Sequence, residues 1–394
     1  MGGVLNKRLP AIDWMRGIVM ILMATDHASG AYNSGRLVTD SALMYAAGMP
    51  LPPLQFLHRW LSHLCAPTFL FLAGTALALS IEKKVARGDG GPAIDRDMFV
   101  RGLIILAVDL FLINLLWFPG TILLQVMYAI GVAMILMIPL RRLPSPALLA
   151  SGVGVLFAAE WFLPDGLIVS NDPGSMLAAL TLGAGMFDTN LEAFGPWAAL
   201  GIPDSFAVAY PVLPWLAMMV FGWVFGRWLL ARREADDSEV QSTRMLAWTG
   251  LGAVGVYAVI RGFNTFGNQQ LYRLDGSWIQ WLHVSKYPPS VAFTALELGL
   301  MCLILAGLFV LQRRQGESVN LDNPVLVFGQ TAFFFYVAHI FLYEVTARLL
   351  GLHMQGGLLV STVATTVGLV VLYPVCRWYR GFKAMHAGTV LRYI

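Results

Sequence analysis

Apolar runs of about twenty residues, the length that spans a bilayer, recur along this chain between charged or turn-forming stretches. Ten windows meet that pattern: 11–31, 57–81, 99–118, 121–140, 146–163, 206–231, 244–262, 288–311, 326–348 and 357–377. The connections test the count independently. With ten spans, one side collects Lys7, Arg8, Lys83, Lys84, Arg87, Arg96, Arg101, Arg141, Arg142, Arg227, Arg232, Arg233, Arg244, Arg313, Arg314, Arg377, Arg380, Lys383 and Arg392. The opposite loops hold few cations, and the loop 164–204 holds none. By the positive-inside bias both termini are cytoplasmic. The pattern therefore predicts an all-α, polytopic integral membrane protein with about 10 transmembrane helices and one integral domain over 1–394. The loop 164–205 is rich in Gly, Pro and acids (Asp165, Asp172, Asp188, Glu192, Asp204). An interfacial helix is expected there over 176–182, and an eleventh half-span is the alternative count.

The first run, D-W-M-R-G-I-V-M-I-L-M-A-T-D-H from Asp13 to His27, carries charge at both ends. At 1.5 Å per residue Arg16 and His27 lie about 17 Å apart along the axis. Eleven residues are almost three turns, so Arg16, Met20, Met23 and His27 share one face. Arg16 snorkelling to the interface and Asp13 starting the helix is the structural alternative. For Asp26 and His27, at the far end, a functional reading is preferred.

Composition narrows the classes. With 57% hydrophobic and 12% charged residues, the chain cannot cover a soluble surface of this size. A net charge of +3, without a basic surface interleaved with aromatics, excludes nucleic acid as the expected partner. Cys65, Cys302 and Cys376 lie in or at the end of apolar runs without ligand spacing, so neither disulfides nor a metal site is expected. Metal-binding histidine motifs, a serine elbow and a P-loop are absent. The first run lacks a small-residue cleavage pattern and is expected to be retained.

Polar groups at membrane depth are the remaining signal. Pro67 frees the carbonyl of His63, which predicts a kinked helix with an imidazole lining a cavity, whereas His58 reads as interfacial. Asp109, Asn114 and Gln125 interrupt apolar runs. A carboxylate at helix centre costs about 2.5–3.5 kcal/mol, so Asp109 is expected to have a cationic partner or a wet cavity. His339, among Tyr336, Tyr343 and Glu344, is either a bonded core residue or part of a proton path. Arg261 is expected at a lipid headgroup or an anionic partner. The loop 263–287 mixes Trp and Tyr with amides, which suits carbohydrate or an interface belt.

Residues 8–27 resemble the opening of bacterial relatives of heparan-α-glucosaminide N-acetyltransferase. Further blocks agree in order: APTFLFLAGTALALS at 66–80, YPVLPWLAMMVFGWVFG at 210–226, KYPPS at 286–290, NPVLVFGQTAFFFYVAH at 323–339 and the closing LRYI. The resemblance implies a multi-pass acyltransferase of a bacterial cytoplasmic membrane. It would carry acetyl from cytoplasmic acetyl-CoA to a sugar amine on the far side. Asp13, Arg16, Gly17 and the polar position of His27 carry over from the motif. The eukaryotic enzyme is similar but has asparagine in place of His27 and a functional histidine in the first loop. Here 28–57 has none, and His58 and His63 are the nearest. More distant membrane acyltransferases that O-acetylate surface glycans are also similar, placing a histidine after an Arg-Gly.

The expected site follows from both readings. His27, oriented by Asp26 and assisted by His63, is the general base. Arg16 and Asp13, with Lys83, Lys84 and Arg101, hold the acetyl-CoA donor. Asn264, Trp278, Lys286 and Tyr287, with His339, bind a sugar, glycan or lipid-linked acceptor. Membrane lipid surrounds the protein, no metal takes part, and a homodimer is compatible with the pattern. The competing function is a proton-coupled transporter of a small polar solute using Asp109, Glu297 and His339. A binding protein that has lost its chemistry is a third class.

Overall fold

The structure, a computed structural model, describes residues 9–42, 44–117, 121–163, 167–168, 172–188, 205–232, 238–316, 318–386 and 388–393. Its helices in chain order are α1 (Pro10–Tyr32), α2 (Pro53–Leu61), α3 (Cys65–Ala86), α4 (Gly91–Val108), α5 (Asn114–Trp117), α6 (Val126–Leu140), α7 (Ser145–Phe162), α8 (Pro173–Thr181), α9 (Val212–Ala231) and α10 (Ser238–Phe263). They continue with α11 (Trp278–Leu282), α12 (Val291–Gln315), α13 (Pro324–Gln330), α14 (Ala332–Leu349) and α15 (Leu358–Met385). Among the described residues, 7 helical segments are long and apolar enough to cross a membrane. The other expected spans are helical but differ in kind. α1 keeps Asp13, Arg16 and Asp26 within its length. α4 runs into a π-turn at Asp109–Ile113, and α6 has only 15 residues. The helix expected at 176–182 is α8, most of whose loop lies outside the described residues.

The fold is mostly helical, consistent with an all-α membrane protein, with one small sheet that the pattern does not predict. Among the described residues four short strands, β1 (Thr121–Leu124), β2 (Leu167–Ile168), β3 (Ala184–Asp188) and β4 (Ser205–Val208), form one sheet in the order β1-β4-β3-β2. β1 pairs parallel with β4, Thr121 opposite Ser205, and β3 pairs antiparallel with β4, Gly185 opposite Val208. Helices expected at 121 and 206 therefore start at Val126 and Val212 instead. The apolar runs hide the change of period, because strand and helix abut without a polar break. Pro211 and an extended Gln125 mark the true starts.

α1 sits among α3, α12, α13, α14 and α15, and most of its length is buried. Its crossing with α13 is backbone on backbone. A Cβ at Gly17 would fall 1.8 Å from the Val325 carbonyl oxygen, and one at Gly329 would fall 1.9 Å from that of Asp13. α3 and α9 meet the same way, Gly74 against Met219 and Gly222 against Phe71. Such small-residue crossings let helices associate where lipid removes the hydrophobic incentive. At the periphery, α7, α10 and α15 turn apolar side chains outward, among them Phe157, Trp248, Val259, Leu359, Val363 and Val370. Between α2 and α3 a 3₁₀ turn at Ser62–Leu64 takes up the kink that Pro67 predicts.

Candidate active site

Two helices bring two histidines together. His27, near the end of α1, lies with its Nδ1 2.7 Å from Nε2 of His339 on α14. His339 Nδ1 in turn lies 2.7 Å from the Phe335 carbonyl oxygen, which can only accept. That contact fixes the proton of neutral His339 on Nδ1 and makes its Nε2 an acceptor. His27 must then donate through Nδ1, and its Nε2 keeps a free lone pair. The Trp117 ring packs edge-on against His27 at 4.6 Å, and Tyr336 flanks it at 6.1 Å.

His27 lines a cavity of about 480 Å³, roofed by Gly185, Met186, Ala207 and Val208 of the sheet. Its polar wall is a charge network. Asp26 accepts from Arg36 Nη2 at 2.9 and 3.0 Å and from Arg59 Nη1 at 2.8 Å. The same Arg59 donates through Nε to Asp40 at 2.7 Å and also pairs with it through Nη2. Burial alone would raise the Asp40 carboxyl, but Arg59 and His63 beside it outweigh burial and hold it well below the usual carboxylate range. Tyr287 and Tyr210 close the wall, hydroxyl to hydroxyl at 3.5 Å. Lys286 also faces this cavity.

A second cavity of about 270 Å³ opens toward the basic end of the bundle. Arg16, Arg101 and Lys383 line it, with Gln330 and the start of α14 at Ala332, Phe333 and Phe334. The first-turn N–H groups of an 18-residue helix favour an anion there. Phe69, Val126 and Tyr336 line both cavities, so the two are separated by one layer of side chains. The stripe read from the sequence is divided between them: Arg16 and Met20 in the second, Met23 and His27 in the first.

Not every expected site residue lies here. Asp26 does not orient His27: two guanidiniums take its oxygens, and His339 orients the ring. His63 does not line the cavity but stands behind it, Nε2 3.4 Å from Asp40 Oδ1 and its ring against Phe293. Lys84 pairs with Asp97 at 2.7 Å, and neither it nor Lys83 lines the basic cavity. Asp13 does not line that cavity but meets two residues that do, Arg16 at 3.1 Å and Gln330, whose Nε2 donates to it at 3.5 Å. Asn264 closes a loop onto the backbone of Arg273, and Trp278 is half exposed beside Phe56.

One further expectation is corrected and one is narrowed. Arg261 meets no headgroup, because its donors go to Asn268 and to the carbonyls of Leu271, Gln280, Trp281 and His283. Of the two alternatives for Asp109, no cation meets it among the described residues; its Oδ2 accepts from Tyr128 N at 2.9 Å in the first turn of α6. Asp109 serves α6, whereas His339 serves His27. Sequence reasoning missed Arg36, Asp40, Arg59, Tyr210 and Lys383. Arg59 alone carried a signal: it is a cation inside a predicted span, which is a functional flag by default.

The family profile "heparan-alpha-glucosaminide N-acetyltransferase, catalytic" matches residues 8–260, which hold α1, the Arg36–Arg59–Asp40 network and the sheet. No individually curated protein matches the chain. The match spans well over half of the sequence and covers His27 and the donors around Asp26, and on it the chain belongs to the heparan-α-glucosaminide N-acetyltransferase catalytic family, a family of membrane acetyltransferases.

Proposed function

We propose that the protein transfers an acetyl group across the cytoplasmic membrane of a bacterium. The donor is acetyl-CoA in the basic cavity, and the acceptor is an amine or hydroxyl of a sugar or glycan in the cavity beneath the sheet. The basic end then faces the cytosol, as the distribution of Lys and Arg favours. Arg16, Arg101, Lys383 and the N-terminus of α14 suit the donor's phosphates. The thioester arm runs along α1 over the ~17 Å from Arg16 toward His27. His27 Nε2 takes the proton of the acceptor N–H or O–H as its lone pair bonds to the acetyl carbon. The C–S bond then breaks, and the thiolate leaves and is reprotonated.

The observation that carries this reading is the locked tautomer: a histidine with its basic nitrogen free sits one layer of side chains from a cationic cavity. Direct transfer suits it better than an acyl-enzyme, because donor and acceptor cavities adjoin. The test uses protein reconstituted in vesicles, labelled acetyl-CoA and a panel of sugar acceptors. His27→Ala is expected to lose about 10²–10⁴ in rate while still binding CoA. Transfer by His27→Ala at the wild-type rate would refute the assignment.

A further inference from the structure

Lys286, between α11 and α12, is only 4% exposed, yet among the described residues its ammonium makes no hydrogen bond or ion pair. Its ammonium lies over the Tyr287 ring, 5.2 Å from the centroid. A buried ammonium without a counter-ion is costly, and a fold keeps one where something else supplies the charge. The neighbouring carboxylates are committed, Asp26 to Arg36 and Arg59, and Asp40 to Arg59. Glu297 lies near enough to interact through space but forms no ion pair. The wall of the cavity beneath the sheet therefore holds three cations against two carboxylates. The loop that carries Lys286 is pinned in place, its own N–H donating to the Asp40 carbonyl at 2.8 Å.

We propose that the missing charge comes with the acceptor: the group acetylated at His27 belongs to a sugar that carries an anionic oxygen group, carboxylate or phosphate, which Lys286 pairs. An ammonium is a point charge with three rotatable donors and serves either anion. The cavity of about 480 Å³ takes a sugar with such a substituent. This inference rests on the acetyl-transfer reading for the identity of the occupant, so its test separates binding from turnover.

Binding is measured by calorimetry on full-length His27→Ala protein in nanodiscs, with glucosamine, glucosamine 6-phosphate and 2-amino-2-deoxyglucuronic acid. At least one anionic sugar is expected to bind about tenfold tighter than glucosamine or better, and which one identifies the anion. Adding Lys286→Gln should erase that preference, and Lys286→Arg should restore most of it. Equal binding of all three sugars, or an equal loss for all three with Lys286→Gln, overturns the proposal. Turnover of wild-type protein on the same panel reads the acetyl-transfer proposal separately: no acetylated product sinks that reading and leaves the binding preference standing. If Lys286→Gln lowers kcat for neutral and anionic sugars alike, the ammonium serves the reacting carbonyl and the inference is wrong.

Discussion

Two of the buried cations, Arg261 and Lys286, are used in opposite ways. Arg261, 1% exposed, gives its guanidinium to one amide oxygen and four main-chain carbonyls, and so ties 268–283 into a knot. Lys286, scarcely more exposed, gives its ammonium among the described residues to nothing but a ring face. Burial alone does not separate a structural charge from a functional one. The separation comes from whether the donors are filled from within the chain, since a filled set fixes a loop and an empty one recruits a ligand.

The largest effect expected from that contrast is on stability. Arg261→Met leaves several buried carbonyls without donors and should cost about 3–5 kcal/mol, seen as a large drop in the thermal midpoint. Lys286→Met removes an uncompensated buried charge and should leave the midpoint unchanged or raised. Equal destabilisation by both would collapse the comparison.

The histidine pair sharpens it on the side of rate. His339→Ala frees the tautomer of His27 and should remove part of the about 10²–10⁴ that a positioned base contributes, with a displaced pH–rate profile and an unchanged KM for acetyl-CoA. An unaltered kcat would show that His339 is only packing.

Arg101→Gln should act more gently. A partly solvated phosphate contact is worth ~1 kcal/mol, so KM for acetyl-CoA should rise about fivefold with kcat kept. A change in kcat alone would place Arg101 outside donor binding.

The smallest effect is in acid. Asp40 in the folded protein lies below its unfolded value, so its contribution is complete above about pH 4 and drains away as pH falls through that range. The wild-type unfolding midpoint should hold from about pH 7 to 5 and fall below about 4, whereas Asp40→Asn should start lower and show a flatter acid limb. Coincident acid limbs would mean that the Arg59 pairing contributes nothing.

How far the sequence reached depended on whether a signal was local. The stripe from Arg16 to His27 obeys helical geometry within one segment, and it lands on two cavities as that geometry requires. The break at Pro67 is local too, and its 3₁₀ turn is where the missing hydrogen bond puts it. Partners were another matter. Adjacency in the chain pairs Asp26 with His27, but a helix points adjacent residues apart, and the carboxylate meets Arg36 and Arg59 instead. The His27–His339 contact joins residues 312 positions apart, which no periodicity can reveal. The strands at 121–124 and 205–208 were lost inside apolar runs that read equally well as helix.

The glycine crossing of α1 and α13 reaches further than packing. Gly17 and Gly329 each stand ten residues before a histidine of the pair, Gly17 before His27 and Gly329 before His339. α1 runs unbroken from its notch to its imidazole, ~15 Å on, whereas the other chain segment turns at Thr331 between α13 and α14 before reaching His339. A single methyl at Gly17 would push α1 off α13, and the displacement would surface at the far end of that one helix as a stretched link between two imidazoles.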